Sequence, residues 1–524
     1  MIGVAVRPGE LEVVREFFEL FKTPWEPAVP GERYRAALLT GDAPVDIEAD
    51  VALIFSRNQV PRLKEPAQVA QGVVCWGRER IPLYGKSSTF EEVPSPAPIT
   101  IAGLPAASFD RQGHRIVWRI GYDLFYEIRH LLTVGQPAEW SLNPSLELHI
   151  GLLRHLLLSS GVTFAEVPPR PDAADFICCL THDIDFVGLR RQRSLRSLAG
   201  FAYRASVGTV IDVLHRRRTL RDGFVNWKAL VSLPLVFLRF VEDPWRPFRD
   251  YLAADRGLPS TYFLVPFRGR PGIPKDGVVA AARSVSYDLE DVRSEVLPAA
   301  KAGCEFAVHG IDAWGDTSAG RAELERVATV TGASVRGIRM HWLYFDEASP
   351  TRLEAAGFGY DSTWGYNDAV GFRAGTSQPF RPLGCDSLIE LPLSIMDSAM
   401  FSRGRMGLSD GEADAAVDRI LAIAHAVGGT IVVNWHCRSL APERLWGRFY
   451  QHLLNKLASE KAWFVSAGEA VDWFAWRRSL RFDRPKLEDG RGVVVIAPTA
   501  GPRAGVLRVW RPGSTGPEDL RLSG

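Results

Sequence analysis

The stretch Phe176-Ile-Cys-Cys-Leu-Thr-His-Asp-Ile-Asp185 joins an apolar run to a polar cluster that ends in paired carboxylates. A short, continuous apolar run with abrupt polar punctuation reads as a strand buried on both faces, the habit of parallel sheets. Similar runs recur downstream at Ser260–Val265, Glu305–Val308, Val335–Ile338, Leu388–Leu391, Thr430–Trp435 and Trp463–Val465. Helical segments separate several of them. Ser349-Pro350 reads as an N-cap followed by proline at the first helical position, Ser409 with Glu412 as a capping box, and Gly428-Gly429 as a helix stop. This alternation predicts an α/β fold with a parallel sheet, either a barrel or a doubly wound layer.

Parallel α/β folds carry their chemistry at the carboxyl ends of the strands. Here Asp183 and Asp185 follow the first strand and His309 follows Glu305–Val308. Arg339 and His341 follow Val335–Ile338, Asp397 lies beyond Leu388–Leu391, and His436 follows Thr430–Trp435. In an extended segment Asp183 and Asp185 point to the same side, and two close carboxylates need a cation or an arginine between them. Each residue alone has a plainer reading. The Asp pair can cap a helix, His309 can bond a loop carbonyl, His436 can be a half-buried structural residue, and Arg339 can be an ordinary surface ion pair. Ionisable groups at five strand ends together favour one shared pocket.

These residues resemble the polysaccharide deacetylases, the NodB-homology or carbohydrate esterase family, in a branch with an additional N-terminal domain. The resemblance rests on Thr181-His-Asp-Ile-Asp185, His309-Gly-Ile-Asp-Ala-Trp314, Gly337-Ile-Arg-Met-His-Trp342, Tyr360-Asp-Ser-Thr363, Gly371-Phe-Arg-Ala-Gly-Thr376 and Trp435-His436, in that order. It implies a distorted (β/α) barrel of seven or eight strands over residues 174–480. A smaller α/β domain (1–168) is expected before it, and a short β appendage with a frayed tail (483–524) after it. It also implies hydrolysis of an N-acyl group, N-acetyl in the usual case, from an amino sugar. A divalent metal, usually zinc, would be held by one Asp and two His. By resemblance Asp183 is the general base, Asp185 and His309 are metal ligands, Arg339 orients the base, His436 is the general acid, and Asp397 tunes it. The family's second histidine, four residues after the first, is replaced by Ala313, which cannot bind metal. His341 restores an Asp-His-His set suited to zinc. Asp312 is the alternative ligand, and a metal-free relative is the third possibility.

The net charge of +1 offers no global case for nucleic acid. The six cysteines are scattered without a CxxC pair, which argues against a disulfide framework and for a reducing compartment. The first residues show no leader pattern and no apolar run reaches membrane-spanning length, so the expected location is cytoplasmic. Residues 186–258 form a basic insertion containing Arg190, Arg191, Arg193, Arg196, Arg204, Arg216, Arg217, Arg218 and Arg221, followed by the apolar run Ala229–Phe240. It reads either as a solvated helical excursion or as a contact with the inner membrane face or a phosphorylated lipid carrier. The expected substrate is a saccharide or a lipid- or nucleotide-linked sugar. Three other readings of the Asp pair compete: the D-x-D opening of haloacid-dehalogenase phosphatases, the D-x-D of glycosyltransferases, and a degenerate deacetylase fold that binds glycan without cleaving it.

Overall fold

In the computed structural model, which describes residues 1–40, 47–56, 68–70, 72–90, 99–191, 195–214, 219–441, 443–483, 494–496 and 502–522, the chain from Phe176 onward builds one curled parallel sheet. Its strands are β1 (Phe176–Ile184), β2 (Ser260–Leu264), β3 (Glu305–Gly310), β4 (Gly337–Met340), β5 (Tyr360–Asp361), β6 (Ile389–Glu390), β7 (Ile395–Met396), β8 (Thr430–Asn434) and β9 (Ala462–Phe464). The order across the sheet is β6-β5-β4-β3-β2-β1-β8-β7, with β9 branching from β1. The first half of β1 pairs β9 at Phe176–Cys178, and its second half pairs β2 at Leu180–Ile184. The sheet's two edges, β6 and β7, are not paired to each other but are joined by four residues of chain. Leu391 N–H donates to Asp361 and Ser394 N–H to Val432, so the connection follows the curl and the sheet is a distorted barrel.

All nine residues of β1 are buried, which explains its unbroken apolar opening. The strand is longer than that opening, because Thr181, His182 and Asp183 also sit in the ladder. Arg339 likewise lies inside β4 rather than after it, since that strand runs from Gly337 on to Met340. The expected strand Leu388–Leu391 is short, and the unforeseen β7 intervenes before Asp397. Gly310, beside His309, could turn the backbone or let it approach a ligand closely. Instead it packs within β3, where a Cβ would stand 2.6 Å from Met340 Sδ and 2.7 Å from Ile338 Cδ1. Ser409 caps the helix Asp410–Val427 with Glu412 as its capping-box partner, and Gly428 ends it. The helix Ser349–Ala356 starts one residue earlier than its proline suggests, with Ser349 already helical.

Before the barrel lies a six-stranded sheet. Its parallel centre is Ile2–Ala5, Arg33–Thr40, Glu48–Phe55 and Arg115–Ile120, flanked by Trp25–Pro27 and Ala107–Gln112. The helices Leu11–Phe21, Leu124–Thr133 and Ser145–Ser159 contribute to the core on this sheet. Barrel residues Trp364, Ala374 and Phe380 join the same core. Near the carboxyl end, Val494–Ile496 pairs with Arg481–Asp483, whereas Val506–Trp510 pairs with Phe164–Glu166 and with Glu518–Arg521. The tail therefore ends in a paired strand over its described residues. Val493 lies outside the described residues, as do Arg193, Arg216, Arg217 and Arg218 of the basic insertion.

The insertion folds as helices Leu195–Tyr203, Thr209–Leu214, Leu220–Phe237 and Pro247–Ala254, with a π-helical turn at Arg204–Gly208. It buries a small core of Leu189, Phe201, Ala205, Val236 and Trp245 against Ala441. Leu214, Leu220, Phe224, Val231, Leu238 and Phe240 of the insertion remain exposed. No helix among the described residues is long and apolar enough to cross a membrane.

Candidate active site and metal centre

Asp183, Asp185, His309, His341 and His436 line one cavity of about 220 Å³ at the carboxyl ends of the strands. Strand geometry explains the convergence. Residues two apart face the same side, so Thr181, Asp183 and Asp185 point inward from β1 while His182 points away. His309 pairs in register with Arg339, and His341 lies two residues further along that same face.

His309, His341 and Asp185 form a compact donor set. His309 Nδ1 lies 2.9 Å from the Arg339 carbonyl, which can only accept. The ring proton therefore sits on Nδ1, leaving the Nε2 lone pair facing the cavity. That Nε2 is 2.9 Å from His341 Nδ1, and Asp185 Oδ1 is 3.3 Å from each of these nitrogens. Asp185 Oδ1 is buried with no well-formed hydrogen bond. An orphaned carboxylate oxygen beside two imidazole nitrogens is the donor set a divalent cation takes. A tetrahedral ion with bonds of roughly 2.0–2.1 Å sets its ligands about 3.3 Å apart, so the residues present fit such an ion. Burial works to lower the His341 pKa and outweighs the pull of Asp185, which favours the neutral, ligating imidazole. Burial opposes ionisation of Asp185, yet the two histidines hold it well below the usual carboxylate range.

Asp312 stands apart from this set. Its Oδ1 accepts from Ile273 N–H at 2.5 Å, and it is not among the residues lining the cavity. Ala313, where the resemblance expects histidine, is fully buried against Gly320 of the helix Thr317–Thr331. The third donor comes instead from the turn that follows the neighbouring strand β4.

Asp183 is held by a different set of partners. Its Oδ1 accepts from Arg339 Nη1 at 2.9 Å, and its Oδ2 accepts from Asn434 Nδ2 at 2.7 Å. Its Oδ2 also lies 3.8 Å from His309 Nε2 and 3.9 Å from His436 Nε2. Burial opposes its charge, but His309, Arg339 and His436 keep its pKa below the ordinary value. Arg339 is itself fully buried and immobilised. It donates to Thr181 Oγ1, Ser362 O and Ser362 Oγ, and its guanidinium stacks 4.2 Å from the Phe263 ring centre.

His436 lies beyond β8. Its Nδ1 donates to Asp397 Oδ1 at 2.5 Å, and its backbone N–H donates to Asp397 Oδ2 at 2.8 Å. Asp397 is completely buried at the start of the helix Asp397–Phe401. Burial disfavours the imidazolium, yet Asp397, helped by Asp183 and Asp185, pushes the His436 pKa up to about 9. Tyr251, from the end of the insertion, donates to the His436 carbonyl at 2.7 Å and stacks on His182 at 3.7 Å. His182 in turn bonds Trp435 O and Asp255.

Two supporting residues escaped the sequence reading. Asn434 could have been found as the polar residue two before His436 in an otherwise apolar strand. Arg283 left no such signal. It is buried and donates to the carbonyls of Pro271, Ile311 and His341, bracing the loop that carries His341.

The chain matches no protein-family model and no curated protein sequence. Among solved structures it is similar to a putative polysaccharide deacetylase from Mycobacterium smegmatis. That match has 18% identity and a TM-score of 0.37, and covers 62% of this chain and all of the other. Similar too are Puue allantoinase (15% identity, TM-score 0.36, 59% of this chain and 93% of that one) and a probable polysaccharide deacetylase from Pseudomonas aeruginosa (14%, 0.33, 58% and 92%).

Proposed function

We propose that this chain is a divalent-metal-dependent hydrolase that removes an N-acyl group, acetyl in the first instance, from an amino sugar. The observation that carries the reading is the split of functions around one cavity. Asp185, His309 and His341 present a buried donor set. Asp183 is held ionised between Arg339 and Asn434. His436 is held protonated by Asp397.

The chemistry follows from those environments. Asp185 Oδ1, His309 Nε2 and His341 Nδ1 would hold the metal, with zinc the choice best suited to this donor set. When bound, it polarises the acyl carbonyl and acidifies water. Asp183, fixed by Arg339 and Asn434, takes the proton from the attacking water through its Oδ2 side. Its depressed pKa keeps it ready to accept. His436 Nε2 faces the same cavity and delivers the proton that the amine needs to depart, while Nδ1 stays bonded to Asp397. Arg339 and Asp397 act through these groups as positioning residues.

The substrate on this reading is a saccharide or a lipid- or nucleotide-linked sugar precursor met in the cytoplasm. Six free cysteines support a reducing compartment. Exposed apolar residues of the insertion, such as Phe224 and Phe240, support peripheral contact with an anionic membrane face. The test is elemental analysis of the purified protein combined with a screen of N-acyl sugars for released acetate or formate. Stoichiometric metal, with release lowered about a hundredfold or more by Asp183→Asn, is the expected result. Protein without metal that releases no acyl group would overturn the reading and leave a glycan-binding module.

A further inference from the structure

Beside the metal-ligand trio the cavity is lined by cations that the hydrolysis itself does not use. Arg405, Arg438 and Arg444 line it together with the histidines. A second cavity of about 250 Å³ adjoins it, sharing Ser402, Arg444 and Trp446 and adding Arg204 from the insertion. The four arginines come from three separate segments: the insertion, the loop after the helix Asp397–Phe401, and the loop after β8.

Among the described residues Arg204, Arg405 and Arg438 make no ion pair with a carboxylate. By contrast Arg403, on the wall of the same second cavity, is paired with Asp212. Arg204 Nε and Nη2 are buried without a hydrogen-bond partner, although this side chain lines the second cavity. It springs from the π-helical turn, an irregularity that often marks a functional position. Arg438 is held flat 4.0 Å from the Phe186 ring centre and 5.6 Å from that of Trp245. Arg444 stacks 4.7 Å from the Trp446 ring centre. Burial, with Arg438 and Arg204 adding repulsion, pushes the Arg444 pKa down to about 9. Glu443 and Asp397 offset this crowding only in part. Glu443 accepts from Trp245 Nε1 and its own pKa is raised by burial, while Asp397 is committed to His436.

Like charges gathered in a partly buried cleft are costly without an anion among them. Guanidinium forks held on aromatic faces suit a phosphoryl group, which accepts several charge-assisted hydrogen bonds at once. We infer that the cleft formed by Arg204, Arg405, Arg438 and Arg444 binds a phosphate or diphosphate ester carried by the substrate, placing the acyl sugar over the trio. This deepens the hydrolase reading and rests on it for the identity of the reacting centre. The phosphoryl group could belong to a nucleoside diphosphate sugar or to a polyprenyl diphosphate sugar.

The test is calorimetric titration of the full-length, metal-loaded protein with inorganic pyrophosphate, a nucleoside diphosphate and a short-chain prenyl diphosphate. Arg405→Gln and Arg438→Gln are compared with the parent, since both side chains lie at the accessible part of the cleft. The expected result is binding by the parent and a loss of about tenfold or more in each variant, as losing one charge-assisted contact gives. Tighter binding of the nucleoside or the prenyl compound than of pyrophosphate identifies the source. Absence of binding by all three, or binding unchanged in both variants, would overturn the inference; the latter outcome assigns the anion to the metal trio alone. Acyl release from a neutral N-acyl sugar, measured on the same preparations, tests the hydrolase reading separately.

Discussion

The substitution Asp397→Asn removes the group that most strongly charges His436. In the parent the buried carboxylate receives both the Nδ1 proton and the backbone N–H of His436, and the imidazole pKa rises from 6.5 to about 9. At roughly 1.4 kcal/mol per pH unit, that rise corresponds to about 3 kcal/mol favouring the imidazolium. An asparagine keeps the shape but not the charge, so His436 should fall back toward 6.5. At pH 8 a group with a pKa of about 9 is about 90% protonated, and one at 6.5 is about 3% protonated. Acyl release that depends on His436 as acid should therefore drop about 30-fold at pH 8 and recover substantially near pH 6. Stability should follow the same sign. The folded-state pKa exceeds the unfolded one, so the pair stabilises fully below about pH 6.5, and that contribution is lost as pH rises through about 9. The assay needs no known substrate: isotope-labelled histidine is titrated by NMR in the parent and in Asp397→Asn. A parent His436 titrating near 6.5, or one that does not move on substitution, would refute the reasoning.

Three further outcomes are expected. Asp183→Asn should keep the metal but lower turnover by about 10²–10⁴, the usual worth of a positioned base; metal loss in this variant would instead make Asp183 a ligand. His309→Ala and His341→Ala should each lower metal occupancy by elemental analysis, whereas Asp312→Ala should leave it unchanged. Full occupancy in His341→Ala would remove that residue from the donor set. Vesicles rich in phosphatidylglycerol should carry the protein upward in a flotation gradient at low salt, and Phe224→Ser with Phe240→Ser should abolish this; flotation by neither protein would leave the insertion as a solvated excursion.

How much of this was legible in the residues depends on how locally each feature is encoded. β1 was readable because burial on both faces leaves a continuous apolar run, and its polar end marked the cavity. The strands Tyr360–Asp361 and Ile395–Met396 were not readable, since two residues carry no periodicity. Their contribution is nevertheless large. β7 brings Asp397 to His436, and β5 leads into Ser362, which anchors Arg339. Arg283 was invisible for another reason: its partners are backbone carbonyls, which look alike in every sequence.

The proposed metal ligands show where pattern ends and tertiary structure begins. A histidine four residues after His309 would have been a local signal, and Ala313 erases it. His341 replaces it only because β3 and β4 are neighbours in a register that sets His309 opposite Arg339. Arg339 then serves two roles at once. Its carbonyl accepts the His309 Nδ1 proton and so aims the opposite nitrogen at the donor set, while its guanidinium fixes Asp183. A one-residue slip between these strands would turn Arg339 and His341 to the other face and break both arrangements together. The close approach at Gly337 helps hold that register. Any Cβ there would stand 2.0 Å from Tyr360 Cζ, and Tyr360 is itself pinned by its hydroxyl to Glu305 at the start of β3. The site is thus specified as much by a glycine at the bottom of β4 as by the histidines at its top.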